Sequence, residues 1–232
     1  MKTSNKLLIA ASLVLLSYLV IFDFQLKAEF LKGDFRGRFF DMQNTPLTSF
    51  TAVKNRAGNI IAINIEKGPK FGVWISKYIK DNVVITQHND TLYIDNKDKI
   101  RFYNFEKGII ITCPAVSSIT AVPFKIPENQ YNDGSAKTSV SGFNQDMMTV
   151  LAYKSTEIEL SKNSLGKLNA ATGASKATLT IHGDNQINNA SFNIIGKSDL
   201  KLFNVIANSS YTYTDSATVT LNGKTLRRLQ QH

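Results

Sequence analysis

The sequence predicts an all-β chain, a β-solenoid of the right-handed β-helix-like kind, preceded by one N-terminal transmembrane helix. Three observations predict it. The chain opens with an apolar run of 16 residues, 7–22, interrupted only by Ser12 and Ser17. Beyond Pro46, β-branched and aromatic residues alternate with polar ones, and 19 asparagines punctuate them. A repeat of about 20 residues then occupies the C-terminal half. The segments expected are an N-terminal membrane anchor or uncleaved signal at 1–26 and a juxtamembrane segment at 27–46. A β-solenoid domain at 47–224 and a basic C-terminal tail at 225–232 complete the chain.

Lys2 and Lys6 precede the apolar run, and counting on to Phe24 past Asp23 lengthens it to 18 residues. At about 1.5 Å per residue that spans roughly 27 Å, close to one hydrocarbon thickness. A cleaved signal peptide would end on a small-x-small pair, whereas here the exit reads Asp23-Phe24-Gln25-Leu26-Lys27-Ala28-Glu29. An uncleaved anchor therefore fits better. The single cysteine, Cys113, lies far beyond the run, which excludes lipidation there and also an intrachain disulfide framework. Lys27, Lys32, Arg36 and Arg38 outnumber the basic residues on the other flank and by count alone favour a cytoplasmic domain. A long domain translocates largely regardless of such charges. In 29–41, Phe30, Leu31, Phe35, Phe39 and Phe40 interleave with Lys32, Arg36 and Arg38, a mixture suited to a membrane interface or to a first strand of the domain.

Expected strands in the first half are 59–65, 70–75, 82–87, 91–95, 100–104 and 108–113, with a turn at His88-Asn89-Asp90. In the second half, four apolar-x-apolar segments recur. Their first positions are Ile158, Leu179, Leu200 and Val219, spaced 21, 21 and 19, and their second positions are Leu160, Ile181, Leu202 and Leu221. Eight residues before each first position stand Val150, Ala171, Phe192 and Tyr211; six before stand Ala152, Gly173, Ile194 and Tyr213. A lone unit cannot bury such pairs, but a stack of coils can. Ile158, Leu179, Leu200 and Val219 should then form one buried column, with Glu159, Thr180, Lys201 and Thr220 facing water. An antiparallel meander also yields apolar-x-apolar strands, but it does not require matched spacings.

At these residues the chain resembles a known family. Thr172-Gly173-Ala174-Ser175-Lys176-Ala177-Thr178-Leu179, the similar Asp215-Ser216-Ala217-Thr218-Val219-Thr220-Leu221, and the earlier Lys70-Phe71-Gly72-Val73-Trp74-Ile75 and Asp90-Thr91-Leu92-Tyr93-Ile94 are similar to the auto-transporter adhesin, head GIN domain family. The resemblance spans roughly 61–222. It implies a β-solenoid ectodomain of the envelope of Bacteroidetes-type bacteria, with no catalytic residues to carry over. It also implies an extracytoplasmic domain, against the local basic count. The chain departs from the family at Lys67-Gly68-Pro69-Lys70, where a Gly-Ile-type head is usual, and in its anchor-like leader.

Little in the sequence suggests reaction chemistry. His88, His182 and His232 lack metal-ligand spacing, so no metal and no cofactor is expected. Cys113 ends an apolar strand and reads as a buried, inert thiol. Of the carboxylates Glu157, Glu159, Asp184, Asp199 and Asp215, only Glu157 and Asp199 share a repeat position, two coils or roughly 9.6 Å apart. The expectation is a non-enzymatic protein of the cell envelope acting in binding, adhesion or envelope organisation. A glycan-active enzyme and a cytoplasm-facing scaffold or sensor are the alternatives. Formal net charge is +9, and residues 27–232 carry 25 basic against 17 acidic residues, or +8. That balance suits membrane lipid at the N-terminal helix and an anionic partner, an envelope polysaccharide or lipid head groups. Nucleic acid is not expected, because aromatic–basic stacking motifs are absent. Self-association of the domain stays open.

Overall fold

The computed structural model describes residues 3–32, 37–97, 108–125, 136–173 and 175–229. Two units emerge, Met1–Met42 and Gln43–His232. In the first, helix α1 spans Thr3–Lys32. Its stretch Asn5–Leu31 is long and apolar enough to cross a membrane. Within that stretch Ser12 and Ser17 donate their hydroxyls to the carbonyls of Leu8 and Leu13 at 2.9 and 2.8 Å, so neither leaves a bare donor in an apolar setting.

The second unit is built from two large sheets. From β8 (Ser118–Ala121) onward the strands alternate between them. β10 (Asn144–Ala152), β12 (Ser164–Thr172), β14 (Gln186–Ile194) and β16 (Asn208–Tyr213) follow β8 in one sheet, every neighbour parallel. β9 (Lys137–Ser141), β11 (Glu157–Ser161), β13 (Ser175–Ile181), β15 (Lys197–Leu202) and β17 (Thr218–Leu221) do the same in the other. Strands consecutive in sequence thus lie in different sheets, which no meander of hairpins does.

The first half extends both sheets. β2 (Ala52–Asn55) sits between β8 and β6 (Thr91–Asn96), and β3 (Ile63–Lys67) sits between β9 and β7 (Ile109–Cys113). Two antiparallel strands close this end: β5 (Val83–His88) on β6, and β4 (Gly72–Ser76) on β7. β1 (Met42–Pro46) lies outside β4, giving among the described residues nine strands in one sheet and eight in the other. The expected turn at His88-Asn89-Asp90 joins β5 to β6, with Asn89 at φ 51°, a conformation Asn tolerates. β1, β2, β8 and β9 were not expected from the sequence, and the expected strand at 100–104 lies outside the described residues.

The core lies between the sheets. Ile158, Leu179 and Leu200 pair in register and are fully buried, as are Leu160, Ile181 and Leu202. Val219 completes the register but is 37% exposed, because β17 is the last strand of its sheet. Thr180, expected to face water, is buried instead; it stands in register between the longer side chains of Glu159 and Lys201. In the other sheet the register corrects the sequence alignment by one residue. Ala170, not Ala171, stands between Val150 and Phe192, and Thr172, not Gly173, follows Ala152 in the next column. The cause is one extra residue between β12 and the apolar pair of β13. A bulge between Ser175 and Thr178 absorbs it, with Lys176 at φ 53°.

Asparagines line one buried corner. Asn163 Nδ2 donates to Val140 O at 3.1 Å and to Asn185 Oδ1 at 3.0 Å. Asn185 Nδ2 donates to the carbonyls of Leu160 and His182, at 2.8 and 2.7 Å. Asn204 Nδ2 donates in turn to Asn185 O, and Asn222 Nδ2 to Phe203 O. Such a column gives the corner carbonyls side-chain donors, beside backbone ones at Leu160 and His182, and ties successive corners together. Close stacking also explains Gly166, where a Cβ would lie 2.7 Å from the carbonyl oxygen of Asp146 on the next strand. Helix α2 (Gly223–Leu229) follows β17.

Candidate functional site

Outward positions on the eight-stranded sheet are set by its register. Tyr93, Lys54 and Thr120 stand side by side on β6, β2 and β8. One step on, Arg56 leaves the end of β2, its backbone N–H bonded to Ile94 O at 2.8 Å. Its guanidinium sits 4.2 Å from the centre of the Tyr93 ring, within cation–π range, and Nη1 lies 3.5 Å from Asp95 Oδ2. With about half its side chain exposed, Arg56 keeps donors facing water. Beyond β8, the buried Asn59 clamps Phe124 through both backbone groups: Nδ2 donates to Phe124 O at 3.2 Å and Oδ1 accepts from Phe124 N at 2.7 Å. That clamp fixes where Lys125 leaves the sheet. Tyr153, at the end of β10, lies over Gly173, where an added Cβ would come within 2.5 Å of the ring.

These groups line a shallow basin of about 500 Å³, with Lys54, Arg56, Lys125 and Asp95 as its charges and Phe124 and Tyr153 as its rings. Three cations thus meet one carboxylate. A larger open depression of about 860 Å³ lies at the far end of the same sheet. Its lining is mostly Asn, Ser and Ala, with Ile206, the ring of Tyr211 and Lys167 as the sole charge, a weaker basis for holding an ion.

The residues weighed from the sequence fall elsewhere. Register places Glu157, Thr178 and Asp199 in one outward column of the nine-stranded sheet, so the two carboxylates stand two strands apart with a threonine between them. Glu157 Oε1 accepts from Thr180 Oγ1 at 3.4 Å, and Glu159 is ion-paired with Lys137 at 2.9 Å. Asp184 and Asp215 are exposed in separate corners between strands. Among the described residues no three His, Cys, Asp or Glu side chains gather as metal ligands. His88 lies edge-on to Tyr93 at 5.8 Å and His182 beside Phe203 at 6.4 Å, while His232 lies outside the described residues. Cys113 is buried, and desolvation pushes its thiol up to about 12, so it stays protonated at neutral pH and is no nucleophile there.

Sequence reasoning did not find the Arg56 basin, because its members come from four strands and their connections. The asparagine corner did leave a signal: Asn163, Asn185, Asn204 and Asn222 recur at spacings of 22, 19 and 18, close to the repeat itself.

No family model matches this chain, and no curated protein matches it. Solved structures do. A candidate adhesin from Bacteroides fragilis aligns with a TM-score of 0.50 at 13% identity, covering 78% of this chain and 96% of that one. A candidate lipid-binding protein from Parabacteroides distasonis aligns at 0.40 and 10% identity, covering 78% and 94%. A further candidate adhesin from Parabacteroides distasonis aligns at 0.35 and 10% identity, covering 78% and 96%. The likeness to the Bacteroides fragilis structure is one of fold.

Proposed function

We propose that the protein is a non-enzymatic, single-pass membrane-anchored β-solenoid of the head GIN type, with its domain on the extracytoplasmic side. Its role is binding or adhesion in the envelope, and it engages acidic polysaccharide through the Arg56 basin. The observation that carries this reading is the meeting of Lys54, Arg56 and Lys125 around one carboxylate, with aromatic rings beside them. Rings offer flat apolar surface to sugar C–H faces, and the cations supply the attraction to carboxylate groups. The alternation of strands between parallel sheets supports the solenoid, α1 supports the anchor, and the fold shared with a candidate adhesin supports the extracytoplasmic placement.

The test is binding of the full chain, held in uncharged nanodiscs, to immobilised polygalacturonate and to neutral dextran at low and physiological salt. Retention on polygalacturonate alone is expected. It should weaken as the Debye length shortens to about 8 Å. Replacing Lys54, Arg56 and Lys125 by Gln should cost roughly tenfold in affinity, or about 1.4 kcal/mol. The same change at the exposed Lys70, Lys80 and Lys224 should cost far less. Equal losses from both triples would overturn the basin and leave a diffuse charge effect. Retention on anionic liposomes but not on polygalacturonate would assign the basin to lipid head groups instead.

A further inference from the structure

The two ends of the sheet stack differ. At one end, reversed strands terminate the parallel order, β5 on β6 and β4 on β7. At the other, the sheets stop at β16 and β17, each parallel to its neighbour and with nothing paired to its outer edge among the described residues. The interior columns stop there too. Ile194 and Leu200 are fully buried, but the residues next in register, Tyr213 and Val219, are 59% and 37% exposed. Helix α2 does not cover them. Its buried Thr225 is held at the asparagine corner instead, donating to Asn204 O at 3.2 Å.

Sheet edges that must stay single usually carry Lys, Pro or an inward charge to block pairing. These edges, Asn208-Ser209-Ser210-Tyr211-Thr212-Tyr213 and Thr218-Val219-Thr220-Leu221, contain none. We propose that they pair with the same edges of a second copy of this chain, tail to tail, in an isologous dimer. The argument for a second copy is geometric. Two edges at one level must be continued together, by a body whose two sheets have the same separation, and another copy has that separation by construction. A two-fold axis across the edges makes the new pairs antiparallel, strand against its own counterpart, and the uncharged sequences bring no like charges into opposition. Val219, Leu221, Tyr211 and Tyr213 would then be covered as their counterparts in the preceding coil are. Such contact is independent of the basin on the sheet face.

The experiment measures the mass of the full chain in detergent micelles by sedimentation, with Val219→Lys and Tyr213→Lys alongside. A dimer is expected for the parent chain and a monomer for both variants, with unchanged circular dichroism, since both positions are already exposed. As a second readout, Ser210→Cys, near the middle of β16, should form an intermolecular disulfide that Val219→Lys abolishes. A monomeric parent chain would overturn the proposal. A dimer that persists in both lysine variants would do so as well, because its contact would lie elsewhere.

Discussion

Replacing Leu200 by Asp is expected to destabilise the domain by about 3–5 kcal/mol. Leu200 is fully buried, with Leu179 and Val219 on either side in register. No cation faces inward beside it in that column, so a carboxylate there must stay unpaired or take up a proton, and either outcome opposes folding. Against a typical total of about 5–15 kcal/mol, the loss unfolds a large share of the molecules under mild denaturant. The matched control is Ser191→Asp, whose side chain is exposed on β14 inside the sheet and should change stability by no more than about 0.5 kcal/mol. Urea titration followed by circular dichroism checks both. A Leu200→Asp variant as stable as the control would place Leu200 outside a packed column.

The second large effect is expected at Asn185, which holds the corner through hydrogen bonds. Its Oδ1 accepts from Asn163 N and Nδ2, both at 3.0 Å, while its Nδ2 satisfies the carbonyls of Leu160 and His182. In Asn185→Leu the side chain keeps roughly its volume but offers no polar atom. Leu160 O and His182 O retain backbone donors, from His182 N and Asn185 N. Asn163 N loses its acceptor inside the protein. A buried orphan donor costs about 1–3 kcal/mol, and the other lost bonds add to it, for a total of about 2–4 kcal/mol. At the end of the column, Asn222 is only half-buried, so water replaces its partners and Asn222→Leu should cost about 1 kcal/mol. The gradient from Asn185 to Asn222, read from urea midpoints, separates a hydrogen-bonded column from a set of independent turn residues.

How far the sequence carried the fold depends on the range of the interactions that fix it. The pairs Ile158/Leu160, Leu179/Ile181 and Leu200/Leu202 were legible because each repeat carries the same inward alternation within a few residues. The slip at Ala171 arose because spacing cannot reveal a bulge. Only the register shift between Ser175 and Thr178 shows where the extra residue went. Val219 keeps the expected register but not the expected burial, because burial needs a neighbour on each side and β17 has one among the described residues. β2 and β8 carry little sequence signal, since Ala52-Val53-Lys54-Asn55 and Ser118-Ile119-Thr120-Ala121 each hold a single β-branched aliphatic residue, and their pairing partners are far away in sequence. The candidate site was not legible for the same reason. Arg56 meets Tyr93 and Asp95 only after β2 and β6 align, and Tyr153 joins them from beyond β8.

Both the basin and the proposed dimer edge rest on one claim: each repeat unit supplies one strand to each sheet, so that successive coils stack in parallel. Disulfide trapping tests it most directly. Lys201 and Thr220 are register partners facing outward on β15 and β17. Neighbouring strands lie about 4.8 Å apart, inside the range of roughly 4.4–6.8 Å that a disulfide spans between Cα atoms. Cys113 is buried and does not compete. The account predicts that Lys201→Cys with Thr220→Cys closes readily under mild oxidation. It predicts that Lys201→Cys with Ser209→Cys stays reduced, because those residues lie in different sheets. A hairpin between 197–202 and 208–213 would give the reverse, and a disulfide closing in that second double variant would contradict the stacked-coil account.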